Sequence, residues 1–126
     1  MRTDAAMLER LAELVNDDPA ITRWGRHLDA SFMVEVGSDQ YLITVRAGRV
    51  EAVVKGPLVQ RAWRFAIRAR AEAWARFWEK VPAPGWHDLF ALLRRGEVAF
   101  EGDQRVLMSH LLYLKLLLAA PRKVAA

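Results

Sequence analysis

The apolar positions of this chain change period several times, and each change marks an element. Met7, Leu8, Leu11, Leu14 and Val15 recur at helical spacing, which predicts an amphipathic helix from about Thr3 to Val15 with Thr3 or Asp4 as its N-cap. Asn16, Asp17, Asp18 and Pro19 break the pattern, and Asp18 before Pro19 has the form of a capped start for a second short helix ending near Gly25. From Ser31 the period falls to two. Phe32, Val34 and Val36 alternate with Met33 and Glu35 up to Gly37, a turn follows over 37–40, and a second strand runs from Tyr41 to Arg46. Ala47 and Gly48 supply a tight connection to a third strand, in which Val50, Ala52 and Val54 continue the alternation until Gly56 and Pro57 stop it. A fourth strand around Arg61 to Ala69 sets Trp63, Phe65 and Ile67 on one face against Arg64, Arg68 and Arg70 on the other.

The pattern then turns helical. Trp74, Phe77 and Trp78 share one helix face, and that helix must end before Pro82 and Pro84. Trp86 to Arg95 reads as another helix, with Leu89, Phe90, Leu92 and Leu93 apolar and Gly96 at its stop. Glu97 to Glu101 is a short fifth strand, and Asp103 caps a last helix running to about Ala120 before Pro121 and a basic tail. Two helices, a four-strand antiparallel meander, two helices, one strand and a closing helix describe an α+β fold whose sheet is covered on one face by helices.

Composition narrows the class. The chain has 126 residues, the size of one domain with a single core, so 1–126 is expected to be one domain. Hydrophobic residues are 53% of it and charged residues 27%, which excludes disorder and implies more buried apolar surface than a polar enzyme cleft needs. Its five Trp and five Phe fit either a well-filled core or a lined cavity. With no Cys, disulfides, thiolate catalysis and Cys-based metal sites are excluded. The N-terminus lacks the apolar run of a signal peptide, so a cytoplasmic location is expected. Leu111 to Ala120, the longest apolar run, contains Lys115 and is about half the length needed to span a bilayer.

The net charge of +4 comes from 19 basic and 15 acidic residues. Much of the excess sits in Arg61, Arg64, Arg68, Arg70, Arg94 and Arg95, which read as a solvated strand face or as attraction to an anionic membrane. No nucleic-acid signature accompanies them, and no nucleic-acid partner is expected.

The downstream half carries a resemblance. Trp74, the link Pro82, Ala83, Pro84 and Gly85, the run from Asp88 through Leu89, Phe90 and Leu92 to Gly96 and Glu97, and then Phe100, Glu101, Gly102 and Asp103 resemble the sterol carrier protein family. The resemblance covers roughly Ser31 to Leu118. It implies an apolar tunnel between the sheet and the C-terminal helices that binds sterols or fatty acyl chains without catalysis. One departure from the family pattern is the junction Arg68, Ala69, Arg70, Ala71, which lacks a small polar residue to cap the third helix.

The last helix holds most of the candidate residues. Projected as one helix, Val106, Leu107, Leu111, Tyr113, Leu114, Leu117 and Leu118 fill a broad face, while Met108, Leu112 and Leu116 interleave with the polar Arg105, Ser109 and Lys115. A helix apolar nearly all round is either a central core helix or the wall of a ligand cavity. Its interleaved side is expected to be covered by a second subunit, as a homodimer, or to touch a membrane transiently. His110 falls on the apolar face as a structural group or as the one oriented polar contact in a greasy pocket. The cavity is expected to be walled by Phe32, Val34, Trp63, Phe65 and Ile67 from strands and by Phe90, His110, Leu111, Leu114 and Leu118 from helices. Asp88 serves a helix N-terminus, and its neighbour His87 cannot pair with it as a dyad on one helical face. No phosphate loop, dinucleotide fingerprint or paired-His spacing is present, so no catalytic residue, metal or cofactor is expected. A small cone-shaped isomerase or dehydratase is the enzyme alternative. It requires an inward acid, and Glu35, Glu51, Glu97 and Glu101 fall by parity on the outward side.

Overall fold

The computed structural model describes residues 5–58 and 61–125, so the expected caps Thr3 and Asp4 lie outside the described residues. A 3-10 stretch, Ala5–Arg10, runs directly into α1 (Leu11–Val15), and Leu8, Leu11 and Val15 are buried as their spacing requires. The Asp18 carboxylate accepts a hydrogen bond from the Ala20 N–H at 3.0 Å and starts α2 (Pro19–Thr22), with Pro19 in the first turn, where no N–H is needed. A further 3-10 turn, Arg23–Gly25, closes the segment.

Three strands follow as an antiparallel meander: β1 (Asp29–Val36), β2 (Asp39–Arg46) and β3 (Arg49–Lys55). The meander ends there, which corrects the four-strand expectation. β4 (Phe65–Ala69) pairs with β1 in parallel and β5 (Val98–Gly102) pairs with β4 antiparallel, giving the order β3-β2-β1-β4-β5. The physical reason lies in β4 itself. Phe65, Ala66 and Ile67 are each 0% exposed, so the strand is apolar on both faces and belongs in the sheet interior, whereas β3 is mostly exposed and suits an edge.

A second correction concerns β3. Thr44 pairs with Ala52 but Val45 pairs with Val50, so Glu51 is the extra residue of a bulge. The bulge reverses the alternation: Val50 and Val53 face the core, while Ala52 is exposed.

The helices cover the face that carries Phe32, Val34, Ile43, Phe65 and Ile67, and their buried side chains join these in one cluster. α3 (Ala71–Phe77) begins at Arg70 without a side-chain cap and buries Ala73, Trp74 and Phe77, with Trp78 at its end. α4 (Leu89–Arg94) is capped by Asp88, which accepts from the Phe90 N–H at 3.3 Å. α5 (Gln104–Ser109) is capped by Asp103, which accepts from the Val106 N–H at 3.2 Å.

The last helix is not continuous. α5 stops at Ser109, α6 spans Leu111–Ala119, and His110 between them leaves helical geometry at φ −118° and ψ 24°. The Ser109 hydroxyl donates to the Arg105 carbonyl at 2.7 Å and the His110 Nδ1 lies 3.0 Å from the Val106 carbonyl. Side-chain bonds to carbonyls one turn back bend helices, so the single projection expected over this segment does not hold beyond Ser109.

The chain then docks instead of trailing. Ala120 and Pro121 are buried in a final 3-10 segment, Ala120–Val124. Arg122 lies 4.4 Å over the Phe77 ring and donates to the Phe77 and His87 carbonyls at 2.6 and 3.0 Å. Lys123 donates to the Leu14 carbonyl and pairs with Asp18, both at 2.8 Å.

The outer face of the sheet carries the arginines expected from parity, but it is not wholly solvated, because Met33, Leu42 and Ala66 lie on it and are buried. Arg68 bridges Glu35 and Glu101 at 2.7 Å each, Arg70 pairs with Glu72 at 2.8 Å and with Glu97 at 3.0 Å, and Arg64 meets Asp103 at 3.1 Å. Arg68 holds the Glu101 carboxyl below its usual range; the Val106 N–H and Arg64 do the same for Asp103, and Lys123 for Asp18. A carboxyl depressed in the folded state contributes stability that is complete above its unfolded pKa and is lost as pH falls through the folded value. Denaturant unfolding is therefore expected to show a steady midpoint down to about pH 5 and a decline below about pH 4, shallower in high salt because these pairs are exposed.

Candidate functional site

The strands and helices enclose an apolar layer. Among the described residues, no buried side chain is charged, and buried polar atoms such as the Tyr113 hydroxyl and the Trp78 Nε1–H are hydrogen-bonded to backbone carbonyls. Phe32 and Val34 on β1 face the helices alongside Phe65 and Ile67 on β4; parallel pairing sets Val34 beside Ile67, and the Phe32 and Phe65 rings stack at 5.0 Å. α6 supplies Leu114 and Leu118. All six are 0% exposed and share the cluster with Leu89, Leu92, Leu107 and Leu117.

The remaining expected residues lie around this layer or apart from it. Leu111 is half-buried against the cluster. Phe90 is half-buried at the start of α4, where Lys115 passes 5.9 Å from its ring to pair with Asp88 at 2.9 Å. Burial raises the Asp88 carboxyl, but Lys115 and the Phe90 N–H outweigh it and leave the group below its usual range. His110 is half-buried at the break between α5 and α6. Trp63 is separated from Phe65 and Ile67. It precedes β4, so the alternation does not extend back to it, and the Arg68 guanidinium lies 5.9 Å over its ring on the side of Glu35 and Glu101.

Phe100 belongs with the layer and was not among the expected lining residues. β5 pairs it with Ile67, so it shares the inner face, and it is half-buried against the cluster with Val106, Leu111 and Leu116. The signal was present in the alternation of Val98 and Phe100 with Glu97, Ala99 and Glu101. These half-buried residues lie on β5, α5 and α6 at the margin of the apolar layer. Beside it Met108 and Leu112 are 43% and 47% exposed, whereas Leu116 is partly covered.

Tyr113 anchors the other side of α6. Its hydroxyl donates to the Gly48 carbonyl at 2.8 Å, and burial pushes the phenol well above its usual range. Gly48, at φ 81°, turns β2 into β3 where a Cβ would collide with the Thr22 carbonyl, and a Cβ on Gly25 would lie 2.6 Å from the Tyr113 ring. Gly25→Ala is expected to cost about 1–3 kcal/mol by overpacking, read as a lowered denaturation midpoint.

An apolar layer of this kind can accept a chain or ring system by burial and dispersion, with few directional contacts. Among the described residues, no group of His, Asp and Glu is placed to hold a metal ion, and no helix is long and apolar enough to cross a membrane.

The fold has known counterparts. A conserved hypothetical protein from Thermus thermophilus, described as possibly a sterol carrier protein, superposes with a TM-score of 0.76 at 15% identity, covering 100% of this chain and 91% of its own. Sterol carrier protein 2 superposes with a TM-score of 0.77 at 16% identity over 95% of this chain and 96% of its own. The UbiJ-SCP2 ubiquinone synthesis protein gives a TM-score of 0.61 at 21% identity over 90% and 93%. The sequence matches no protein-family model and no curated protein. The chain has the sterol-carrier-type α+β fold.

Proposed function

We propose that this chain binds an apolar ligand, a sterol, fatty acyl chain or similar lipid, between β1, β4 and β5 and the helices α5 and α6, and carries it in the cytoplasm without bond chemistry of its own. The observation that supports this most is the apolar layer under a sterol-carrier-type fold, free of buried charged side chains among the described residues and margined by the half-buried Phe100, Val106 and Leu111. Burial of ligand area at about 25 cal/mol per Å² drives binding and makes it broad in specificity. A ligand enters by parting α5 from α6 at the helix break at His110. The Met108 and Leu112 face is covered by a second copy or a membrane during exchange.

Titration with a fluorescent fatty acid, followed by displacement with unlabelled fatty acids and sterols, tests the reading. Saturable, displaceable binding is expected. Leu111→Glu is expected to weaken it by at least about tenfold, because the carboxylate must be buried against the ligand. Trp63→Phe is expected to change it less than about twofold, since Trp63 lies across the sheet. No saturable binding across such a panel, with native mass spectrometry finding no lipid on protein from cells, would exclude the carrier.

A further inference from the structure

Most of the arginines on the sheet are neutralised by carboxylates. Those around the connection from α3 to α4 are not. Among the described residues, Arg76, Lys80, Arg94 and Arg95 take part in no ion pair. Arg76 and Arg95 instead lie over the Trp86 indole, with guanidinium carbons 4.9 and 4.6 Å from its centroid, and Arg95 also donates to the Gly85 carbonyl at 3.0 Å. A guanidinium held over a ring is pre-positioned, and its N–H groups not already bonded can take an anionic oxygen. Arg94 and Arg95 together line an open depression with Ala91. Of the carboxylates close by in sequence, Glu79 is exposed and Asp88 is already held by Lys115.

The same connection carries Val81, which is 83% exposed, followed by Pro82 and by the exposed Ala83 and Pro84. A protruding apolar tip stiffened by two prolines, with an aromatic ring and unpaired cations at its base, matches the layered chemistry of a bilayer surface: acyl chains below, headgroup phosphates above. We infer that the α3–α4 connection docks this protein on an anionic membrane surface, with Val81 entering the acyl boundary and Arg76, Arg94 and Arg95 on lipid phosphates. A soluble partner would have to cover an isolated valine flanked by unpaired cations, and the charge complementarity favours the bilayer. The inference does not depend on a ligand in the apolar layer.

Pelleting with vesicles of phosphatidylglycerol and phosphatidylcholine in equal parts, against vesicles of phosphatidylcholine alone, tests it. Binding is expected only to the anionic vesicles and should fall as salt is raised. Arg94→Glu and Val81→Asp alter exposed side chains and should leave the melting temperature and fatty-acid binding as in the wild type. Each is expected to lower vesicle binding by about tenfold or more. Wild-type binding by both variants, equal binding to neutral vesicles, or no vesicle binding at all would overturn the assignment. So would loss of binding on Leu112→Glu with none on Arg94→Glu, which would move the contact to the α5–α6 face.

Discussion

Trp78→Ala is expected to lower the unfolding free energy by about 3–5 kcal/mol, the range for truncating a buried large aromatic. Trp78 is 1% exposed at the end of α3, its ring stacks on Trp74 at a centroid distance of 5.1 Å, and its Nε1–H donates to the Leu118 carbonyl at 2.8 Å. The substitution removes the stack, opens a void and cuts the bond that ties α3 to α6. Trp78→Phe separates these effects. It keeps much of the apolar volume and loses the donor, and is expected to cost about 1–3 kcal/mol. Urea unfolding followed by circular dichroism reads the totals, and amide exchange should show α6 loosened in both variants. A loss below about 1 kcal/mol for Trp78→Ala would mean that the α3–α6 contact is not part of the stabilising core.

Leu114→Ala is expected to cost about 2–5 kcal/mol, whereas Leu112→Ala, on the same helix, should change stability by no more than about 0.5 kcal/mol. Leu114 is 0% exposed within the layer; Leu112 is 47% exposed. The cavity left by Leu114→Ala borders the proposed ligand space, so the variant also discriminates between core and carrier. If an apolar ligand occupies the layer, fatty acid at about a hundredfold over its dissociation constant should restore about 2.7 kcal/mol. If the layer is only packed core, the loss stands with or without fatty acid.

Much of this fold was legible in local chemistry. Asp18, Asp88 and Asp103 each precede an apolar helical run, and each accepts from the backbone N–H that its position calls for. The face of Trp74, Phe77 and Trp78, the stop at Gly96 and the tight turn at Ala47 and Gly48 stand where spacing and turn chemistry place them. Of the expected lining, Phe32, Val34, Phe65, Ile67, Leu114 and Leu118 are brought together because a strand or helix with one apolar face must bury it, whatever its partner.

What escaped was pairing and interruption. Which strand β4 joins depends on a register with β1 set from the far side of two hairpins, and the bulge at Glu51 exists only relative to β2. Extending the alternation of Phe65 and Ile67 back places Trp63 with them, but pairing starts only at Phe65. The bend at His110 rests on two side-chain bonds that compete with helix continuation, and the periodic leucines around it conceal them. Periodicity and capping are properties of neighbouring residues, so the α+β class, most of the elements and the inward sides of β1 and β4 were determined by the sequence itself. Strand order, the Tyr113 anchor on Gly48 and the two unpaired arginines over Trp86 join residues apart in the chain, and only tertiary packing decides which of them meet.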